Sequence, residues 1–307
     1  RQLVAFGTRH TMSDTVSTTR GVGAARRWIK SEFDQISAGC DGCLEVLFDR
    51  GMLEGRPGTR VTQDVELVNV VAIQRGQTHP DRYLLITGHY DSRASNPNDA
   101  TSDAPGAVDD GSGTASVIET ARVLSKFKFD KTIVYGTLVG EEQGLLGGQQ
   151  LARYAKEQGW QIEGVLNNDI VGNSQGIGGQ VDNLTFRIFS EPVSAQETEG
   201  DRRSRRVMGG EIDGPSRQLA RYVFGVTRQV LPMMQPKLVY RLDRFGRGGD
   251  HRAFNDQGFA AVRITEAFEN YNRQHQNVRT ENGIDYGDLP DQADFPYAAR
   301  LAGINAA

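Results

Sequence analysis

The stretch "RYLLITGHYDS", residues 82–92, is an apolar run that ends abruptly in polar side chains. From Tyr83 to Ile86 it lacks the alternation of polar and apolar residues that marks a half-exposed strand. A continuous apolar run of this length is typical of a strand that is buried on both faces of a parallel sheet. The stretch therefore predicts an internal strand of an α/β protein.

Similar runs recur along the chain and alternate with amphipathic helical patterns. The other predicted strands are "CLEVLF" (43–48), "VELVNVVAIQ" (65–74), "TIVYGTLVG" (132–140), "GVLNNDIVG" (164–172), "LTFRIFS" (184–190) and "AAVRITE" (260–266). Helices are predicted over residues 21–36, 113–126, 145–158, 216–231 and 295–305. Strands that alternate with helices favour a mainly parallel α/β sandwich.

A single domain covering residues 1–307 is the simplest organisation for this pattern. One segment, residues 190–216, interrupts the alternation because it is polar, charged and rich in glycine. It is interpreted as a solvated or mobile surface loop, in preference to a lid over a substrate.

The composition excludes some classes of function. A formal charge of -4 gives no reason to expect a nucleic-acid partner. The chain has no apolar run of eighteen residues, so no membrane-spanning segment is predicted. The oligomeric state is not predicted.

The two cysteines, Cys40 and Cys43, are spaced C-x-x-C. A zinc knuckle would need a second pair of soft ligands, and a redox motif would open a helix, whereas glycines and an aspartate surround this pair. A small disulfide in an exported protein is favoured, with free thiols as the alternative. An exported, periplasmic or extracellular location is the corresponding expectation.

Chemically active side chains gather where the predicted strands end, which is where ligands bind in open α/β sheets. His89 follows the end of the opening strand, and Asp91 lies two residues later on the same side of an extended chain. A metal-binding histidine usually donates its other ring N–H to a carboxylate, so this pair fits a ligand and its orienting partner. A structural histidine is the alternative when the motif is taken alone.

Two pairs of adjacent carboxylates follow the same rule. Asp109 and Asp110 lie in "PGAVDDGSG" (105–113), and Glu141 and Glu142 end "TIVYGTLVGEE" (132–142). Such pairs repel each other unless a cation or several donors lie nearby. Capping of a helix accounts for Asp110 but not for both aspartates, and acids at a helix N-terminus are the alternative for the glutamates.

Asp169 in "GVLNNDIVG" and His251 in "RGGDHRAFNDQGF" complete a series of five such sites. All of these side chains are oxygen or nitrogen ligands of the kind that zinc accepts. Capping and packing do not account for all of them at one rim of a sheet.

The order His-x-Asp, Asp-Asp-Gly-Ser-Gly, Glu-Glu, Asp, His resembles the co-catalytic zinc aminopeptidases, the metallopeptidases that include secreted bacterial leucine aminopeptidases. That family is related to glutaminyl cyclases and to transferrin-receptor-like domains. The resemblance extends from about Val65 to Glu266. It implies a three-layer α/β/α sandwich with a mainly parallel, mixed central sheet and two Zn²⁺ ions per chain.

The resemblance also implies a role for each motif residue. Asp109 would bridge the ions; His89 and Asp169 would complete one site, and Glu142 and His251 the other; Glu141 would be the general base, and Asp91 the partner of His89. The peptide bond between Asp109 and Asp110 is expected to be cis.

The implied activity is removal of the N-terminal residue from a peptide with a free N-terminus, through a water shared by the two ions. Three alternatives remain open: carboxypeptidase or dipeptidase activity on the same metals, acyl transfer of the glutaminyl cyclase kind, and a metal-free binding domain. An amino-terminal specificity needs carboxylates near the substrate amine, whereas a carboxyl-terminal one needs a cation such as arginine.

The group that stabilises the oxyanion is not fixed by the sequence. Some relatives use a tyrosine near the last histidine, but Asp250 precedes His251 here. Tyr240, Arg244 and Arg247 are candidates for that role or for substrate contacts. His275, in "NRQHQN", either lines the pocket or supports a loop, and the second role is favoured.

Overall fold

The computed structural model describes residues 1–210 and 213–307. Its helices are α1 (Gln2–Ala5), α2 (Gly21–Ala38), α3 (Gly111–Leu124), α4 (Leu146–Glu157), α5 (Glu199–Met208), α6 (Pro215–Val230), α7 (His251–Asp256) and α8 (Phe295–Ala306). Its strands are β1 (Glu45–Leu53), β2 (Val65–Gln74), β3 (His79–His89), β4 (Lys131–Leu138), β5 (Gln161–Asn168), β6 (Thr185–Ser190), β7 (Gln235–Val239), β8 (Ala261–Glu266), β9 (Arg279–Glu281) and β10 (Ile284–Tyr286).

A mixed central sheet of eight strands has the order β1-β2-β4-β3-β5-β8-β6-β7 in the described residues. Its middle strands β4, β3, β5 and β8 run parallel to one another, while the pairs β1–β2, β2–β4 and β6–β8 are antiparallel. The carboxyl ends of the four middle strands therefore lie at one edge of the sheet. Strands β9 and β10 form a separate hairpin.

Helices cover both faces of the sheet. On one face, α2 and α3 pack on alternate residues such as Val70 and Ile86. On the other face, α4 and α7 pack on the intervening residues, including Val71 and Leu85. Since each strand contributes side chains to both layers, the central strands are apolar throughout, and the predicted three-layer α/β/α sandwich is confirmed.

The predicted strand over residues 65–74 matches β2, and most other boundaries differ by one to three residues. Strand β7 was not predicted because it lies at an edge of the sheet, where Gln235 and Lys237 are exposed and Pro236 interrupts the pattern. The Cys40–Cys43 disulfide is present, as predicted. No helix in the described part of the chain is long and apolar enough to cross a membrane.

The segment over residues 190–216 is not a continuous loop, because α5 lies within it; residues 211 and 212 are outside the described residues. Helix α5 buries no residue, so it has no apolar stripe to reveal it. Thr198 and Asp201 form a capping box at its start, and Glu199 pairs with Arg202 and Arg203 on its surface. This helix is stabilised by its capping box and by charge pairs on its surface, not by packing against the core. The prediction of a loop was wrong for the residues of α5.

Candidate metal centre

The carboxyl edge of β4, β3 and β5 brings the predicted ligands together. His89 is the last residue of β3, and Asp169 directly follows β5. Glu141 and Glu142 come after β4 in the turn that leads to α4. Since the three strands are parallel neighbours, these side chains meet although they lie as many as 80 residues apart in sequence.

The ligand atoms form two groups of three. His89, Glu141 and Asp169 form one group, Asp109, Glu142 and His275 form the other, and within each group the ligand atoms lie within 4.8 Å of one another. Asp109 faces both: its Oδ1 lies 3.3 Å from His89 Nε2, and its Oδ2 lies 2.9 Å from His275 Nε2. A carboxylate that presents one oxygen to each group has the position of a bridging ligand.

Buried atoms without hydrogen bonds indicate that the groups fit a metal. Among the described residues, His89 Nε2 and Glu142 Oε1 are buried and take part in no hydrogen bond. Leaving buried polar atoms unsatisfied is costly, whereas zinc accepts this combination of imidazole and carboxylate donors. The donor set therefore fits two zinc ions.

The shifted pKa values of the cluster also indicate that its carboxylates are arranged to bind cations. Burial raises the pKa of the Glu141 carboxyl well above its ordinary value; His89 opposes this shift, while Asp169 and Glu142 increase it. Burial lowers the pKa of His275, but the charges of Glu142 and Asp109 outweigh it and raise the pKa to about 9. Divalent cations among the carboxylates would relieve this repulsion and keep both histidines neutral as ligands.

His251 does not lie in either group, which corrects its prediction as a ligand. Its Nε2 contacts the backbone oxygen of Leu242 at 2.8 Å and lies 3.6 Å from Asp243 Oδ2. The ring is fully buried, and this burial lowers the pKa of His251 to about 4, so it is neutral at pH 7. His251 has a structural position at the start of α7.

His275 takes the position that was expected of His251. Its Nε2 lies 3.0 Å from Glu142 Oε1, and Arg93 Nη2 contacts its Nδ1 at 2.8 Å. Its backbone has φ 57°, a region that non-glycine residues adopt rarely and mostly where the surroundings enforce it. The favoured role as a loop support was therefore wrong.

The positions of the two histidines relative to strand β8 explain why His275 lies in a group and His251 does not. His251 precedes β8, at the start of α7, whereas His275 follows the carboxyl end of β8 by nine residues. Because β8 is parallel to β5, the segment after β8 reaches the same edge as the other ligands.

Asp91 and Asp110 hold the ligand segments without entering either group. His89 Nδ1 lies 3.1 Å from the Asp91 backbone oxygen and 3.4 Å from its carboxylate, which also accepts from the backbone N–H groups of Glu141 and Glu142. Asp91 therefore lies beside both His89 and the backbone of the glutamate pair, a position that fits an orienting partner.

Asp110 caps helix α3 by accepting from the Gly113 backbone N–H at 3.0 Å. The same carboxylate accepts from the backbone N–H groups of His89, at 3.1 Å, and Ile170, at 3.0 Å. A side chain on Gly113 would collide with Asp110 and with the Asn168 backbone, which explains a small residue here. The peptide bond between Asp109 and Asp110 is cis, as expected.

Asp288 and Arg9 support the segment that carries Asp109 from distant parts of the chain, and neither was predicted. The Asp288 carboxylate accepts from the backbone N–H of Asp109 at 2.7 Å and of Val108 at 2.9 Å. Arg9 is fully buried and donates to the backbone oxygens of Pro105, at 2.5 Å, and Gly106, at 2.9 Å. No sequence motif marks these contacts, because they join residues that are about 100 to 180 positions apart.

We expect Asp288→Asn to weaken zinc binding about 10- to 100-fold, the usual effect of losing an outer partner of a metal ligand. An asparagine directs an NH₂ group at backbone donors that need an acceptor, so Asp109 loses its fixed position. Competition with a chromophoric zinc chelator measures the affinity. The exposed Asp291→Asn serves as the matched control; equal affinity for both variants would contradict a positioning role.

A cavity of about 740 Å³ opens over the two groups. Arg244, Arg247 and His275, which the sequence analysis had left as candidates, line it. Tyr240 is not among the lining residues; it is 38% exposed, and Arg217 stacks on its ring. Contact of any of these residues with a substrate stays a prediction.

The family model for peptidase family M28 matches residues 69–191. A Leptosphaeria maculans protein named "Probable zinc metalloprotease" is 45% identical over 307 residues, which is 100% of this chain and 70% of that protein. The chain belongs to peptidase family M28. A Pyrenophora tritici-repentis protein of the same name is 42% identical to this M28 chain over 306 residues, again 100% of the chain and 70% of the relative.

Solved structures share the fold of this M28 peptidase at low identity. The Legionella pneumophila LapA crystal structure has a TM-score of 0.69 and 18% identity, covering 99% of this chain and 68% of that one. A Porphyromonas gingivalis glutaminyl cyclase has a TM-score of 0.64 and 18% identity, covering 99% and 92%. The chain is a zinc metallopeptidase of the M28 family.

Proposed function

We propose that this M28 peptidase is an aminopeptidase that uses two zinc ions. The observation that carries the proposal is the position of Asp109 between the two groups, with one oxygen facing His89 and the other facing His275. LapA, which shares the fold, is described as an aminopeptidase.

In this proposal His89 and Asp169 would hold one ion, Glu142 and His275 would hold the other, and Asp109, which faces both groups, would be shared between them. Zinc bound there would lower the pKa of a bound water and polarise the scissile carbonyl.

Glu141 is the general base in this proposal. Its side chain is 13% exposed and borders the cavity, and its Oε2 lies 4.0 Å from His89 Nε2. Its carboxylate takes a proton from the attacking water and delivers it to the departing amine. Asp91 fixes the backbone of Glu141 through the hydrogen bond described above, so the base is held at the substrate.

Two observations bear on the alternatives. A glutaminyl cyclase reaction with a single zinc would not need Asp109 to face a second group, and a metal-free binding domain would not need intact ligands together with Glu141. Carboxypeptidase or dipeptidase activity on the same metals differs only in the substrate end that is bound, and the assay below separates it.

The test is hydrolysis of amino-acid p-nitroanilides with a free or a blocked amine, with and without chelator. We expect cleavage of the free-amine substrates only, loss of activity in chelator and recovery with zinc. The thermal midpoint should also fall in chelator, because a metal that binds only the folded chain stabilises it. Cleavage of blocked peptides at their carboxyl end would refute the aminopeptidase assignment.

We also propose that the protein is exported. The Cys40–Cys43 disulfide supports this, because disulfides persist mainly in oxidising compartments. Detecting the protein only inside the cell, with both thiols reduced, would contradict export.

A further inference from the structure

Six arginines border the cavity over the metal centre. They are Arg60, Arg93, Arg241, Arg244, Arg247 and Arg252. Four of them come from the stretch "RLDRFGRGGDHR", residues 241–252.

Two of these arginines already have carboxylate partners. Arg93 Nε lies 2.9 Å from Glu142 Oε2. Arg244 lies 3.1 Å from Asp243 and 3.2 Å from Glu269. Their charges are therefore balanced within the protein.

The other four form no ion pair with any residue that the structure describes, and neutral groups hold three of them. Arg60 donates to the Glu142 backbone oxygen at 2.8 Å. Arg247 donates to Gln274 Oε1 at 3.0 Å, and Arg241 stacks on the ring of Phe245 at 3.9 Å. These contacts fix the guanidinium groups without neutralising them.

Arg252 has a buried Nε that finds no hydrogen-bond partner among the described residues. Beyond the carboxylates of the metal centre, the lining residues that the structure describes include two acidic ones: Asp243, which already contacts Arg244 and Arg263, and the exposed Asp256. The wall beside the metal centre thus carries more positive than negative charge. Like charges in a confined cavity favour the binding of an anion.

We infer that the substrate carries a carboxylate close to the scissile bond and that Arg247 and Arg252 recognise it. This inference rests on the proposed peptidase function and adds the chemical class of the substrate. Guanidinium groups bind carboxylates through parallel hydrogen bonds, which are stronger than neutral ones. The carboxylate belongs either to an acidic side chain or to the C-terminus of a short peptide.

The experiment reads binding separately from turnover. Calorimetry on the zinc-loaded protein compares a first pair of ligands, the α-hydroxamates of glutamate and glutamine, which differ in side-chain charge. The α-hydroxamate of lysine is measured as the positively charged comparison. Leucyl-glycine is compared with leucyl-glycinamide on the Glu141→Gln protein, so that hydrolysis does not interfere. We expect the carboxylate-bearing member of at least one pair to bind at least tenfold more tightly than its amide.

The double variant Arg247→Gln/Arg252→Gln should reduce that preference to less than threefold, because charged hydrogen bonds are lost. Arg247→Gln alone should reduce it in part. Arg247 lies outside the secondary structure elements, and an unchanged thermal midpoint and zinc content would show that the loss does not come from misfolding. Arg153→Gln, on the exposed surface of α4, is the matched control and should keep the full preference.

Tighter binding of the glutamate hydroxamate than of the glutamine hydroxamate would show that the recognised carboxylate belongs to an acidic side chain. Tighter binding of leucyl-glycine than of leucyl-glycinamide would show that it is the C-terminal carboxylate of a short peptide. Equal binding within both pairs, or tightest binding of the lysine hydroxamate, overturns the inference. Neither result depends on cleavage, so a failure to hydrolyse free-amine substrates counts against the proposed function alone.

Discussion

Replacing His275 with alanine is expected to reduce the bound zinc from two ions to one and to lower kcat/KM by about 10³-fold. The variant removes the only imidazole in the group that contains Asp109 and Glu142. An ion in that position contributes several kcal/mol to transition-state stabilisation, and each factor of ten corresponds to about 1.4 kcal/mol. Metal analysis after dialysis against a zinc buffer gives the stoichiometry, and steady-state kinetics give kcat/KM.

His251→Ala is the matched control for this experiment. His251 is buried, and its Nε2 contacts the Leu242 backbone oxygen, so its loss should lower the thermal midpoint. It should nevertheless leave two zinc ions bound, because His251 belongs to neither group. Loss of an ion from the His251 variant, with two ions retained in the His275 variant, would restore the original assignment.

Glu141→Gln is expected to retain both zinc ions and to lower kcat by at least about 100-fold. Glutamine keeps the size of the side chain but cannot accept a proton, and a positioned general base contributes about 10²- to 10⁴-fold to the rate. Because Glu141 acts on the attacking water in this proposal and is not assigned to hold the substrate, KM should change much less than kcat. The measurement is kcat and KM on a free-amine p-nitroanilide, together with metal analysis of the same sample.

Glu157→Gln provides the same chemical change on the exposed surface of α4 and should have normal kinetics. If Glu141→Gln turned over at a near-normal rate with its metals in place, another group would have to be the base. If it lost an ion, Glu141 would instead be a ligand of the group it shares with His89 and Asp169.

The sequence predicts the sheet and most of the metal centre for the same reason. Strands buried on both faces must be apolar throughout, so a polar residue at the end of such a strand stands out. His89, Asp169 and the pair Glu141–Glu142 were found in this way, and the structure places them together. Asp109 was found because one helix cap cannot account for two adjacent aspartates.

His275, a ligand in the proposed arrangement, was not predicted as one because it lies in an irregular segment. His275 follows β8 by nine residues, and neither helical nor strand periodicity leads to it. His251, beside a glycine pair and before a clear strand, had the more conspicuous context. Only the direction of β8 in the sheet separates the two, and strand direction is a property of the folded chain.

The supporting residues were missed for a different reason. Arg9 and Asp288 act through backbone groups of the segment from Pro105 to Asp109, and any stretch of sequence offers such groups. Arg263 lies inside an apolar strand and contacts Asp169 Oδ1 at 2.8 Å, a pairing that joins positions 94 residues apart. Contacts of this kind follow from the fold and cannot be read from local patterns.

The three hydrogen bonds of Asp110 bear on any attempt to transplant this centre into a designed scaffold. One carboxylate fixes the spacing between the end of β3, the start of α3 and the segment after β5, yet it binds no metal in the proposed arrangement. A graft that copied the five ligands alone would leave these three segments free to separate. The smallest transferable unit therefore includes Asp110, together with the glycine at position 113 that makes room for it.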